Sequence, residues 1–200
     1  MLNFKAKSFV IVGARGSGKT TLAQDILSQT PRSLVYDTLH EYADDFFTVY
    51  RPTDRASVSE LETVVRHVLK PPHPFTMFVI DEANRFCPPK PKPLPQAVAD
   101  LNDWGRHYEL SWGFICRRPV QLNSDLTELA DYIIVFGLDG KNDIAYLNEL
   151  HKGFGDMAAN LPKYHFLIKA GREITHYNPV SVYVPDLSLK ANGAVSLPEQ

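Results

Sequence analysis

Residues 8 to 20, Ser-Phe-Val-Ile-Val-Gly-Ala-Arg-Gly-Ser-Gly-Lys-Thr, constrain this chain more than any other stretch. The apolar run Phe9 to Val12 reads as a buried strand. It leads straight into Gly13-Ala14-Arg15-Gly16-Ser17-Gly18-Lys19-Thr20, which satisfies G-x-x-x-x-G-K-[ST] in full. Thr21 to Gln29 then sets Leu22, Ala23, Ile26 and Leu27 on one helical face. Strand, glycine-rich turn and helix in that order predict an anion cradle. Glycines at 13, 16 and 18 admit φ > 0 and let the main chain approach a phosphate closely. Successive N–H groups converge as a nest, and the helix adds its positive end. Lys19 is placed to reach β- and γ-phosphates, Thr20 offers its hydroxyl to Mg²⁺, and Thr21 closes the cradle. The expected ligand of residues 13–21 is a nucleoside triphosphate. A Gly/Ser turn that merely precedes a helix is the bland alternative, and the flanking elements argue against it.

Phe75 to Ile80 is nearly continuous in apolar residues, as a strand buried on both faces requires, and it ends in Asp81-Glu82. Beside an intact phosphate loop, two carboxylates at a strand end form the second half of a hydrolysis site. Asp81 is expected to hold Mg²⁺, and Glu82 to orient or deprotonate the attacking water. Solvated charges at a strand end are the plainer reading of the same residues. A carboxylate after the aspartate favours hydrolysis over phosphate transfer to a small acceptor, where an activated water would be a hazard.

The rest of the chain alternates strand and helix signals. Ser33 to Tyr36 reads as a strand running into Asp37-Thr38-Leu39-His40-Glu41-Tyr42, a polar cluster at a strand's carboxyl end, where open α/β sheets bind ligands; capping of the next turn by Asp37 and Glu41 is the plainer reading. Thr48 to Arg51 suits a short edge strand. Val58 to Leu69 is an amphipathic helix capped by Ser57 or Ser59 and stopped by Pro71, Pro72 and Pro74. Cys87 to Pro95, Cys-Pro-Pro-Lys-Pro-Lys-Pro-Leu-Pro, predicts a stiff extended loop of polyproline type carrying Lys90 and Lys92. It is either a rigid connector or a protruding loop that offers lysines to a polyanion. Gln96 to Trp104 is helical and Trp112 to Cys116 a buried strand ending in Arg117-Arg118. Helix over 125–130, strand over 132–136, helix over 141–150 and strands over 166–170 and 174–177 complete the pattern. The implied fold is α/β, with a mostly parallel sheet between helices in one domain over 1–184. Residues 185–200 lack periodicity and are expected to form an arm or remain disordered.

Composition narrows the partners. A formal net charge of −2 over 200 residues gives no global field for nucleic acid or anionic membrane, so any such contact must be local. Cys87 and Cys116 have neither metal-ligand spacing nor partners for a disulfide framework, which suits reduced thiols inside a cell. No apolar run is long enough for a membrane span, so a soluble, intracellular protein is expected.

Three segments beyond the phosphate loop carry a family resemblance. Asp37 to Tyr42 is similar to a D-x-x-x-E-[YF] element after the second strand. Phe78-Val-Ile-Asp-Glu-Ala-Asn-Arg-Phe-Cys-Pro88 is similar to a DEA-x-x-[FL]-x-P Walker B motif. Arg106 through Pro119 resembles a segment in which an arginine precedes a strand ending in [ST]-Q-R-P. In this order, from residue 8 to about 136, they resemble the FtsK–HerA superfamily of ring-forming motor ATPases. The small size resembles its viral branch, the genome-packaging ATPases of membrane-containing icosahedral viruses.

The resemblance implies a three-layer, RecA-like P-loop NTPase fold of the ASCE type, ATP and Mg²⁺ as cofactors, and a hexameric ring. It also implies translocation of double-stranded DNA into a preformed capsid, with a capsid vertex or portal-like protein as a further partner. The expected location is the host cytoplasm or the packaging vertex of a virion. Arg106 matches the arginine that completes a neighbour's site, with Arg117 and Arg118 in reserve. One departure stands out: Arg117 occupies the place of the sensor glutamine. Either Arg117 senses the γ-phosphate with a charge or the hydrolysis trigger differs. A cellular or plasmid DNA translocase, or a small phosphotransferase such as a nucleotide kinase, are the competing readings. A GTPase switch lacks its Asn-Lys-x-Asp element.

Overall fold

The computed structural model describes residues 3–43 and 45–180. The arm expected over 185–200 lies outside the described residues. Eight strands form one sheet: β1 (Ser8–Val12), β2 (Ser33–Tyr36), β3 (Thr48–Tyr50), β4 (Met77–Ile80), β5 (Ser111–Cys116), β6 (Tyr132–Phe136), β7 (Phe166–Ala170) and β8 (Glu173–Tyr177). Their order is β3-β2-β4-β5-β1-β6-β7-β8. The first six run parallel; β7 and β8 are antiparallel, joined by a tight turn at Gly171. This matches the expected mostly parallel sheet and its edge strand β3.

The position of each strand explains its composition. β1, β4 and β5 are central and buried throughout, so each reads as an unbroken apolar run. β8 is an antiparallel edge and tolerates Glu173, His176 and Tyr177 facing water. Alternation along β1 splits the core: Val10 and Val12 join one cluster, Phe9 and Ile11 the other. The first cluster is roofed by α2 (Val58–Leu69), α3 (Gln96–Trp104), α4 (Ser124–Glu128), α5 (Lys141–Leu150) and α6 (Phe154–Ala159). The second takes buried residues from a single described helix, α1 (Lys19–Ser28). The three layers are therefore unequal. Beside α1, Leu22, Ile26, Met77, Ile134, Phe166 and Ile168 line a groove of about 650 Å³.

Several boundaries differ from the sequence expectation. α1 begins at Lys19 rather than Thr21, because Leu22 N–H already donates to the Gly18 carbonyl at 3.0 Å. Ser57, not Ser59, caps α2 by accepting from Glu60 N–H at 3.1 Å. α6 has no counterpart in the expected helices. The proline-rich segment is not extended throughout: Lys92 N–H donates to the Pro89 carbonyl and turns it back. Asn123 Nδ2 pins it at the Pro88 and Lys92 carbonyls, both at 3.2 Å. Cys87 and Cys116 are free and buried, and burial pushes both thiols up to about 12. Among the described residues, no helix is long and apolar enough to cross a membrane.

Candidate nucleotide site

All six parallel strands deliver their carboxyl ends to one edge of the sheet, where open α/β folds bind ligands. β1, fifth from the β3 edge and flanked by the parallel strands β5 and β6, carries the phosphate loop. The loop closes through Ser17 N–H donating to the Ala14 carbonyl at 3.3 Å. Gly18 sits at φ 107°, which a Cβ would strain. Gly13 does not adopt the expected positive φ. Its missing side chain serves packing instead, since a Cβ there would lie 2.7 Å from Phe136 Cβ. The first-turn amides of Lys19, Thr20 and Thr21 have no carbonyl one turn earlier to receive them, leaving donors for an anion.

Around the loop lies a cleft of about 330 Å³, lined by residues 15–21 with Glu41, Asp81, Glu82, Arg117 and Tyr164. Lys19 Nζ donates to the Ala14 carbonyl at 2.9 Å, folded back over its own loop. Burial lowers its pKa, and the Asp81 and Glu82 carboxylates oppose that shift. Ser17 Oγ is buried with no hydrogen-bond partner among the described residues. A cradle with an orphaned hydroxyl and spare amides fits phosphate oxygens.

The acidic side of the cleft is built by β2 and β4. Asp37, fully buried after β2, accepts from Glu41 N–H and Tyr42 N–H, both at 3.1 Å. That clamp curls residues 37–42 so that Glu41 Oε2 receives the Thr20 hydroxyl at 3.3 Å. Capping thus describes Asp37, while Glu41 lines the cleft. Asp81 follows β4 and is held there by the Thr38 hydroxyl, which donates to its carbonyl at 2.7 Å. Burial pushes Asp81 up to about 7; Glu82 N–H, donating to Oδ1 at 2.8 Å, works against this, and the Glu82, Glu41 and Asp37 carboxylates add to it.

Glu82 takes a left-handed backbone, φ 51°, unusual for a side chain of this size. Its Oε1 accepts from Arg117 Nε at 2.8 Å across the tips of β4 and β5. Asp81, Glu82, Arg117 and the loop are therefore brought together in one cleft. Thr20, Glu41 and Asp81 supply hard oxygen donors suited to Mg²⁺. Among the described residues no three His, Cys, Asp or Glu groups form a metal cage, so such an ion would also need phosphate oxygens.

Two predicted arginines are elsewhere. Arg118 Nε donates to the buried Asp143 of α5 at 2.9 Å and does not line the cleft. Arg106 lies in a 3₁₀ turn after α3, its Nη2 3.1 and 3.2 Å from the two Asp131 oxygens. Asp131 in turn binds Ser8, the first residue of β1, so Arg106 stands at the opposite edge of the sheet. Five residues of β1 separate the two ends by about 16 Å. Tyr164 was not legible as a site residue, and Glu41 was legible only as part of the polar cluster 37–42 at the strand end.

Fold and cleft together define a P-loop NTPase architecture. Solved structures share it. The genome packaging NTPase B204 from Sulfolobus turreted icosahedral virus 2, in complex with AMPPCP, superposes with a TM-score of 0.72 at 22% identity, covering 88% of this chain and 98% of that one. B204, the DNA-packaging ATPase from Sulfolobus turreted icosahedral virus, gives 0.74 at 18% identity, covering 89% and 100%. VirB4 of Thermoanaerobacter pseudethanolicus gives 0.64 at 12%, covering 92% and 91%. These are likenesses of fold, of the kind the FtsK–HerA resemblance implied. No protein-family model matches the chain, and no curated protein matches it.

Proposed function

We propose that this chain is an ATP-hydrolysing motor that translocates double-stranded DNA, packaging it into a preformed capsid. The observation that carries the reading is the convergence of a phosphate cradle, Asp81 and an arginine-held Glu82 in one cleft. Support also comes from the fold it shares with packaging NTPases of similar length. ATP lies with its phosphates on the loop; Lys19 turns from the Ala14 carbonyl to the β- and γ-phosphates. Glu82 accepts the proton of the attacking water. Thr20 and Asp81 would hold Mg²⁺, which supplies charge neutralisation on the phosphates.

Arg106 cannot reach its own cleft, so its role is in trans, on a neighbour's γ-phosphate within a hexameric ring. Its guanidinium is largely exposed beside the exposed Trp104, a composition suited to a subunit interface. Arg106→Ala should then keep the ring and lose hydrolysis by a factor on the order of 10³ or more. Wild-type turnover in an intact ring would remove the assignment. Lys92, with Lys90 once it leaves Asp125, presents charge to the DNA backbone. Replacing both with alanine should reduce stimulation by DNA, and unchanged stimulation would take the loop off the DNA path. A packaging role places the protein in the host cytoplasm or at a virion vertex, beside a capsid or portal-like partner.

The deciding experiment is the ATPase rate with and without duplex DNA, on material sized by light scattering. A motor gives a ring, stimulation, and only ADP and phosphate as products. A nucleotide kinase would phosphorylate an acceptor instead, but it needs a mobile arginine-bearing lid, and Arg117 and Arg118 are both committed to internal carboxylates. Transfer of plasmid or chromosomal DNA would use the same chemistry without a capsid.

A further inference from the structure

The phosphate loop divides its cleft into two sides with different chemistry. Toward β5 and β4 stand Arg117, Glu82 and Asp81, the groups that act on the terminal phosphate. Toward β6 and β7 stand Phe136, which packs against Gly13 and Gly18, and Tyr164, on the turn entering β7. A nucleotide whose γ-phosphate meets Glu82 must leave the loop on the opposite side, so its nucleoside lies against the β6–β7 side.

Tyr164 is the aromatic residue exposed there. Its ring is close enough to the loop that a Cβ on Gly18 would stand 3.6 Å from Tyr164 Cδ1. The ring is nearly half exposed. It is held out by a four-residue turn in which His165 N–H donates to the Pro162 carbonyl at 3.1 Å. Tyr164 occupies the third position of that turn at φ 68°, where glycine or asparagine is the unstrained choice. Lys163 Nζ sits over the ring, 4.7 Å from its centroid. A bulky ring kept in a strained backbone, exposed at a ligand's exit, is placed for something other than packing.

We infer that Tyr164 is the stacking platform for the nucleobase, a deepening that rests on the nucleotide reading above. Lys163 steadies the ring from one face. Because every base presents a π-face, a platform of this kind holds purines with little regard to their edges. ATP and GTP should therefore bind with similar affinity.

The test compares three ligands on the full chain: ATP, GTP and inorganic tripolyphosphate, which has no base to stack. Tyr164→Gly removes the ring while suiting the left-handed backbone, and Tyr164→Phe keeps it. Titration calorimetry should show Y164G weakening ATP and GTP alike, by roughly 5- to 150-fold. Tripolyphosphate affinity should stay within about twofold, and Y164F should bind all three as wild type does. Equal weakening of tripolyphosphate would overturn the inference, because Tyr164 would then only shape the loop through Gly18. Unchanged ATP affinity in Y164G overturns it too. Failure of the wild type to bind ATP or tripolyphosphate would instead bring down the nucleotide reading, and this inference with it.

Discussion

The two ends of β1 are built from the same residue types and treat them in opposite ways. At the amino end, Asp131 accepts from Lys7 Nζ and Ser8 N–H, each at 2.9 Å, from the Ser8 hydroxyl at 3.2 Å, and from Arg106. Burial alone would raise its carboxyl, but the Ser8 amide, Lys7 and Arg106 outweigh burial and hold it below the usual value. At the carboxyl end, Asp81 is pushed up to about 7 with three other carboxylates near it. One end of the strand is electrostatically complete; at the other, burial outweighs the compensation that Asp81 receives. A divalent cation arriving with the proposed triphosphate would bring positive charge to it. Incomplete compensation of this sort concentrates at working sites, while at the far end the Lys7, Ser8 and Asp131 network ties down β1 and holds the exposed Arg106.

The sharpest break of that comparison is Glu82→Gln. It should leave ATP binding intact by calorimetry and lower kcat by on the order of 10²–10⁴; substantial turnover would reduce Glu82 to a partner of Arg117.

Next is Asp81→Asn, with an effect of opposite sign on stability. A carboxyl raised from 3.8 to about 7 costs the fold nothing below 3.8, increasingly more between the two values, and its full penalty above about 7. The asparagine variant should therefore melt higher than wild type at pH 8, by at most about 4 kcal/mol, with the gap closing toward pH 4. It should lose the extra stabilisation that Mg²⁺ with ATP gives the wild type. A destabilised variant at pH 8 would show that the cleft is compensated after all.

Arg117→Ala should lower kcat by roughly 10- to 100-fold by freeing Glu82, since small displacements of a reacting group have effects of this size. Arg117→Gln should recover most of that loss if the position senses phosphate through hydrogen bonds, and none if charge is required. Smallest is Asp131→Asn, which weakens a satisfied network. A loss of about 1–3 kcal/mol in urea unfolding with unchanged ATP affinity is expected, and a fall in kcat beside it would show that Asp131 also positions Arg106.

The central strands and longer helices were legible because each satisfies one period over its whole length; Phe75 to Ile80 can be little else. The cradle and Asp81-Glu82 were legible because their chemistry is local in sequence. Strand order was not, since nothing in Trp112 to Cys116 says that it lies between β1 and β4. α6 escaped because six residues, with Gly155 among them, give less than two turns of pattern. Gly155 owes its place to packing, since a Cβ there would collide with the Ile144 carbonyl oxygen. Tyr164 escaped for another reason: it reaches the cleft through a positive-φ turn that leaves no motif. Glu41 was visible within the 37–42 cluster, but the Asp37 clamp that turns it into the cleft was not. The left-handed φ of Glu82 likewise has no signature, although it aims the residue at Arg117.

The unequal layering has a mechanical reading. The first turn of α1 is part of the anion cradle, and its inner face is the one described helical cover over Phe9, Ile11, Val79 and Ile134. A nucleotide seated on the cradle as proposed should therefore slow hydrogen exchange in β1 beneath that cover, at residues that never touch it.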